Sequence, residues 1–252
     1  GAPVHLYHLI KGLVGYDIKV ITPRGWLGDE LTKDSFQVMY VKWGIKNVMK
    51  LRNYLMSKPS AVLHFQGLKS LVWGGVASLG LPNKKIYTEH LWTRDFHLAN
   101  RLRETLQLLA IRFLIDRVNT VICVSKAVEN FYKDKLRVPG EKLVTIYNGV
   151  QFYDVQSRPE QFTFGFIGSL NRNKNVRLII EAFADLKSSS KLIIVGNGSE
   201  EMELKTLVTK LNLDDKVEFI PETSDVEMIF NRINVVVSAS RSESFGMGLL
   251  EA

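Results

Sequence analysis

Two Rossmann-like domains in tandem, each a parallel β-sheet covered by helices, is the α/β fold class that this sequence predicts. Three observations carry the prediction. Short β-branched and aromatic runs alternate with stretches of helical periodicity along the chain. Several of those runs, 192–195 and 235–237 among them, are nearly unbroken hydrophobes, as strands buried on both faces require. Around residues 148–161 the sequence turns polar, with Asn148-Gly149 and Pro159, and the balance of charge changes sign there.

Each element follows from its own residues. A helix over 4–13 spaces Leu6, Leu9, Ile10 and Leu13 along one face, and a strand is expected at 17–22. The helix predicted over 44–56 sets Val48, Leu51 and Leu55 three and four apart; strands at 61–65 and 85–88 follow it. The stretch 99–117 repeats Leu102, Leu106, Leu109 and Phe113 and carries Arg101, Arg103, Arg112 and Arg117. It reads as a core helix with a basic outer stripe in preference to a membrane-skimming one. A strand at 120–124, a helix at 126–136 and a strand at 143–147 complete the first domain, taken as residues 1–155. The second, 156–252, restarts with a strand at 162–167. It continues with a helix at 176–186, a strand at 191–195, a helix at 200–211 and strands at 216–220 and 233–238. In such sheets ligands bind beyond the carboxyl ends of the strands, so the cleft between the domains is the expected place for chemistry.

Composition narrows the classes. With 46% hydrophobic and 23% charged residues over 252 positions, the chain is neither disordered, collagen-like nor a disulfide scaffold. One cysteine, Cys123, forms no internal bridge and reads as core packing, which fits a reducing cytoplasm. No apolar run is long enough for a transmembrane helix, and no leader is read at the start. The net charge of +7 is uneven: residues 1–158 hold 23 Lys+Arg against 12 Asp+Glu, and residues 159–252 hold 10 against 14. The basic half suits an anionic membrane surface, phosphorylated substrates or nucleic acid, or is simply a well-solvated surface.

The richest constellation is the stretch 238–252, SASRSESFGMGLLEA, in which a hydrophobic strand runs into a small-residue loop and then a helix opening near Phe245 or Gly246. A helix opening offers unpaired amides and the positive end of the dipole to a phosphate. Glu243 precedes it, and Glu251 lies about five residues inside, roughly 7 Å along. Two carboxylates flanking a phosphate site make chemical sense where each accepts hydrogen bonds from sugar hydroxyls. A nucleotide-diphosphate sugar has that order: sugar, diphosphate, ribose. After the strand 162–167 the run Gly168–Asn175 offers Lys174 and Arg172 as cations for the same phosphates. A third segment, Val195-Gly196-Asn197-Gly198, is a tight strand-to-helix turn. His64 and His90 are both read at strand ends, whereas His5 and His8, on one helix face, read as surface residues. No His, Asp or Glu spacing suggests a metal site.

Together these segments resemble the family 4 glycosyltransferases, retaining enzymes of the GT-B type in which two Rossmann-like domains face a cleft. Glu243-Ser244-Phe245-Gly246 through Glu251 is similar to that family's paired glutamates. Phe166–Asn175 is similar to its Gly-Arg-Leu-x-x-x-Lys segment, and 192–198 to its strand followed by Gly-Asn-Gly. The phrases at 122–126 and 145–150, ICVSK and TIYNGV, are similar to those that close its N-terminal domain. The resemblance implies that Glu243, Lys174 and His90 serve catalysis. It implies that Glu251, Phe245, Gly246, Met247, Arg172, Gly196 and Gly198 hold the nucleotide sugar. Glu251 would take the ribose hydroxyls, the amides of 245–247 the diphosphate, and His90 a place near the donor sugar.

The same resemblance implies a UDP- or GDP-sugar donor with no other cofactor and no metal. It implies a glycan or glycolipid acceptor, no nucleic acid partner, and a cytoplasmic enzyme peripheral to the inner face of a bacterial membrane. Ser169 stands where the family usually has arginine, leaving Arg172 to supply that charge. Gly1–Val4 looks like the loop and helix after a first strand, and Ala252 follows directly on Glu251, so an enzyme shortened at both ends is expected. A sugar-nucleotide-binding module, an inactive homologue and a GT-B epimerase are the alternatives. Trp92, Arg94 and Phe96 are candidates for acceptor or interface contact.

Overall fold

The computed structural model describes residues 2–90, 101–150, 153, 155, 159–223 and 225–252, without the side chains of Ala2 and 101–107. Trp92, Arg94 and Phe96, the predicted contact residues, lie outside the described residues. The chain forms two compact units, one ending at Gly149 and one beginning at Val150.

The first unit runs α1 (Ala2–Gly12), β1 (Lys19–Thr22), α2 (Trp26–Lys33), β2 (Gln37–Tyr40), α3 (Ile45–Met56), β3 (Leu63–Gln66), α4 (Gly67–Ala77) and β4 (Lys85–Glu89). It continues with α5 (Arg101–Ile115), β5 (Thr120–Cys123), α6 (Lys126–Asp134) and β6 (Leu143–Thr145). Every strand pair is parallel: β1 with β2, and β3-β4-β5-β6 in order. Ile21 of β1, Met39 of β2 and Leu63 of β3 pack on one cluster built on Leu51 and Leu55 of α3, so the two sheets share a core. Ser125 caps α6 by accepting the amide of Val128 at 3.3 Å. Cys123 is fully buried, as its place in an apolar strand predicts. Arg112 of α5 spends its guanidinium on the carbonyls of Leu136 and Arg137 at 2.8 and 2.7 Å, and Ile111, Leu114 and Ile115 are buried.

Three elements here go beyond the predicted set: α2, β2 and α4. Glycines hide α4, because Gly67, Gly74 and Gly75 lower its helix propensity. Packing explains two of them: a β-carbon on Gly74 would stand 2.6 Å from Phe65 Cε1, and one on Gly75 3.3 Å from Leu114 Cδ2. The glycines let α4 lie against β3 and α5, and that contact outweighs local preference. His64 is the second residue of β3, so the expectation that it ends the strand is corrected; Gln66 holds that position.

The second unit comprises β7 (Thr163–Ile167), α7 (Val176–Ala184), β8 (Lys191–Val195), α8 (Glu201–Lys210), β9 (Val217–Ile220), α9 (Val226–Phe230), β10 (Val235–Val236) and α10 (Met247–Leu250). Its sheet is parallel, in the order β10-β7-β8-β9. Leu192 and Ile194 face a cluster with Phe166, Ile180 and Leu204; Ile193 and Val195 face another with Ile229 and Ile233. Both faces are covered, which is why β8 carries no polar alternation. Glu251 is the C-cap of α10, directly after its last helical residue, where the sequence reading placed it about five residues inside the helix.

Candidate functional site

Strand order places the site. The chain adds β8 and β9 on one side of β7 and then returns to lay β10 on the other. This reversal between β7 and β10 is a topological switch point, where the loops after two neighbouring strands diverge and leave a crevice at their carboxyl ends. The loop after β7 carries Arg172 and Lys174, and the loop after β10 carries Glu243.

The two loops are tied together. Asn171 Oδ1 accepts the amides of Asn173 and Lys174 at 3.1 and 3.2 Å, an Asx-type turn that fixes the loop's shape. Asn173 donates its side-chain amide to Ser242 O at 2.9 Å, and its carbonyl accepts the Arg241 amide at 2.8 Å. Lys174 Nζ donates to Glu243 Oε1 at 2.5 Å, with both side chains about 30% exposed (28% and 32%). Asn173 and Asn171 are functional-loop residues that motif reading missed. Their signal was the asparagine-rich run 171–175, a turn-forming composition.

The end of β7 locates the rest. A β-carbon on Gly168 would lie 3.9 Å from Lys174 Cε, and one on Gly248 would lie 3.1 Å from Ile167 O. Lys174 thus lies over Gly168 while α10 crosses the adjacent Ile167. The amide-rich opening of α10, at Phe245, Gly246 and Met247, belongs to the same end of the same strand. Gly246 adopts a left-handed conformation, φ 78°, at the helix start. Ser244 is buried beneath it and Glu251 is half-buried at its far end. Arg172 is exposed, with no ion-pair partner among the described residues.

Gly196 and Gly198 have a further reason to be glycine. A β-carbon on Gly196, φ 136°, would stand 2.1 Å from Gly168 O, and one on Gly198 2.1 Å from Leu170 O. The turn after β8 therefore lies against the backbone of the loop after β7. Hydrogen bonds from Leu170 N to Asn197 O at 2.9 Å and from Glu200 N to Leu170 O at 3.0 Å lock the two.

Comparison with known proteins places the chain in a family and a fold. The model for Glycosyltransferase Family 4 matches residues 1–152, and that for Glycosyl transferases group 1 matches residues 151–252. The chain belongs to glycosyltransferase family 4. Among curated relatives, the O-antigen chain mannosyltransferase RfbU of Salmonella typhimurium is 30% identical over 155 residues, 58% of this chain and 44% of RfbU. The O-antigen biosynthesis glycosyltransferase WclY of Escherichia coli is 27% identical over 246 residues, 89% of this chain and 67% of its own length. The chain spans less than half the length of the first relatives it matches, 44%, 36% and 41%. Among solved structures, HepE of Anabaena in complex with UDP-glucose superposes with a TM-score of 0.83 at 20% identity, covering all of this chain and 74% of HepE. Sucrose-phosphate synthase of Thermosynechococcus elongatus gives 0.81 at 16% identity, covering 98% and 71%. The fold is the GT-B fold of two Rossmann-type domains.

His90, the remaining candidate of this family 4 chain, belongs to the first unit, directly after β4. Gln66, at the end of the neighbouring β3, accepts from His90 Nε2 through Oε1 at 2.6 Å. The Gln66 amide nitrogen lies 3.1 Å from His64 Nε2, which also meets Thr88 Oγ1 at 2.7 Å. His5 of α1 packs edge-on against the His90 ring with centroids 5.2 Å apart, so His5 is a partner of the cluster and not the surface residue expected. Burial, with His5 and then His64 nearby, pushes the His90 pKa down to about 4. Beside it, buried Glu89 accepts the hydroxyls of Tyr87 and Tyr132 at 2.5 and 3.1 Å. Among the described residues, no three His, Cys, Asp or Glu side chains form a metal-holding group, and no helix is long and apolar enough to cross a membrane.

Proposed function

We propose that this chain is the core of a retaining glycosyltransferase that moves a sugar from a nucleotide-diphosphate sugar, UDP- or GDP-linked, to an acceptor hydroxyl in cell-surface polysaccharide or glycolipid synthesis. One observation carries the reading: Lys174, Glu243 and the opening of α10 all stand at the carboxyl end of β7, at the switch point of the second unit's sheet. An ammonium beside a helix opening is chemistry for a diphosphate. A carboxylate within bonding distance of that ammonium suits the hydroxyls of the attached sugar, and Glu251 suits those of the ribose. The O-antigen enzymes among the relatives support the biosynthetic setting, and the UDP-glucose complex of HepE supports the donor class.

In this reading, Lys174 and the first amides of α10 neutralise the diphosphate as the bond to the anomeric carbon breaks. The acceptor hydroxyl attacks from the face the diphosphate leaves, and its proton passes to the departing phosphate oxygen. Helix dipole and lysine supply the neutralising charge, so the reaction proceeds without a divalent ion. Arg172 adds a cation where Ser169 offers none. Gly196 and Gly198 let the turn after β8 close on the loop after β7. The basic first half suits an acceptor presented at an anionic cytoplasmic membrane surface.

Incubation with UDP- and GDP-sugars, an acceptor panel and EDTA tests the proposal. Product NMR is expected to show the donor's anomeric configuration preserved. An inverted product, or transfer abolished by EDTA, contradicts it.

A further inference from the structure

The cluster around His90 has a direction that its hydrogen bonds dictate. A carboxamide oxygen only accepts and a carboxamide nitrogen only donates. With Gln66 Oε1 2.6 Å from His90 Nε2, the proton of His90 sits on Nε2; the Gln66 amide nitrogen lies 3.1 and 3.5 Å from His64 Nε2 and Nδ1, over that ring, and His64 Nε2 meets Thr88 Oγ1 at 2.7 Å. Gln66 ends β3 and its parallel partner in β4 is Thr88, two residues before His90, so the sheet register itself brings the carboxamide between the two rings. Among the described residues, the titratable groups facing His90 are His5 from α1 and His64 from β3; Glu89, its neighbour in sequence, bonds to Tyr87 and Tyr132. Among the described residues, no carboxylate is recorded in a hydrogen bond or ion pair with the ring.

We propose that Gln66 is a positioning residue: packed over the His64 ring, it holds the His90 proton on Nε2, and so presents His90 Nδ1 as a fixed hydrogen-bond acceptor for a sugar hydroxyl. The part concerning the sugar rests on the proposed function; the bond from His90 to Gln66 does not. A ring held neutral with its lone pair on one nitrogen receives a hydroxyl without the cost of choosing a tautomer. His90 is then an orienting acceptor and not a general acid.

Long-range proton–nitrogen NMR of the 15N-labelled chain reads this directly, with the five histidines assigned through single His→Gln variants. At pH 7 the expected spectrum shows His90 with a pyrrole-type Nε2 and a pyridine-type Nδ1. In Gln66→Met, which keeps the side-chain volume, His90 is expected to give averaged shifts from both tautomers. In Gln66→Glu a carboxylate meets the Nε2–H and the midpoint of the His90 titration moves upward, since an opposite charge favours the cation. A His90 proton on Nδ1 in the unaltered chain overturns the proposal, as does an unchanged tautomer in Gln66→Met. The spectrum answers whether or not a donor turns over, so failure here and failure of the glycosyl-transfer reading are separate results. With a donor in hand, Gln66→Met and His90→Gln are each expected to slow transfer by roughly tenfold or more, about one lost hydrogen bond. The double variant is expected to be no slower than His90→Gln alone. Equal and multiplicative losses would mean that Gln66 acts independently of His90, contrary to the proposal.

Discussion

Replacing Gly198 by alanine tests how the second unit holds its two phosphate-side loops. The new methyl would stand 2.1 Å from Leu170 O, 2.5 Å from Leu170 C and 2.6 Å from Leu170 N. An ordinary carbon–oxygen contact is about 3.3 Å, so the turn and the loop after β7 must part by roughly 1 Å. All three obstructing atoms are backbone, with no flexible side chain to swing aside. Overpacking of this kind costs about 1–3 kcal/mol. The carbonyl in the way also accepts the Glu200 amide at 3.0 Å, and straining that bond adds about 1 kcal/mol. The expected loss is about 3 kcal/mol by urea unfolding at constant m-value. Because Lys174 hangs on the loop after β7 that must move, nucleotide affinity should fall as well. A variant within 0.5 kcal/mol of the parent, an order-of-magnitude bound for a substitution that meets nothing, would refute the claim that this glycine exists for close backbone approach.

Other predictions follow from the same geometry. Lys174→Ala removes a charge-assisted bond to the diphosphate and should weaken UDP or GDP binding by roughly ten- to a hundredfold; calorimetry reads it. Glu243→Gln should leave nucleotide affinity intact or higher, since it frees Lys174 from a competing carboxylate, while the affinity of the sugar-linked donor falls. His90 makes stability pH-dependent. Its folded pKa is depressed to about 4, so between pH 6.5 and 4 the unfolded chain binds a proton that the folded one refuses. Stability then falls as the pH drops, by about 1.4 kcal/mol per unit, and urea unfolding of His90→Gln at pH 7 and 5 should show that portion of the dependence gone. Tyr132→Phe deprives buried Glu89 of one hydroxyl donor and should cost about 1–3 kcal/mol, measured by thermal unfolding.

Much of the fold was legible because doubly covered strands leave a plain mark. The runs 163–167 and 191–195 are apolar on both faces since both faces carry helices. What escaped reading was set by contacts distant in sequence. Helix α4 forms through glycines whose purpose is visible only beside Phe65 and Leu114. Strand β2 is four residues of mixed character held by its pairing with β1. At the candidate site, Glu243 and Lys174 were legible from the motifs around them, and the structure adds that they touch although 69 residues apart. Gln66 was not legible. Nothing in its neighbourhood marks a glutamine as functional, and its place between two histidines follows from the register of β3 with β4. Gly196 and Gly198 read as part of a turn that binds, whereas the structure gives them a steric reason at the backbone of the preceding loop.

The central claim is that the switch-point loops of the second unit form a nucleotide-diphosphate site. Calorimetric titration of the chain with UDP, GDP and ADP, alongside Lys174→Ala and Glu251→Ala, tests it most directly. The account predicts saturable one-to-one binding of one diphosphate, weakened in both variants. Binding of none of the three, or binding that neither substitution weakens, would contradict it.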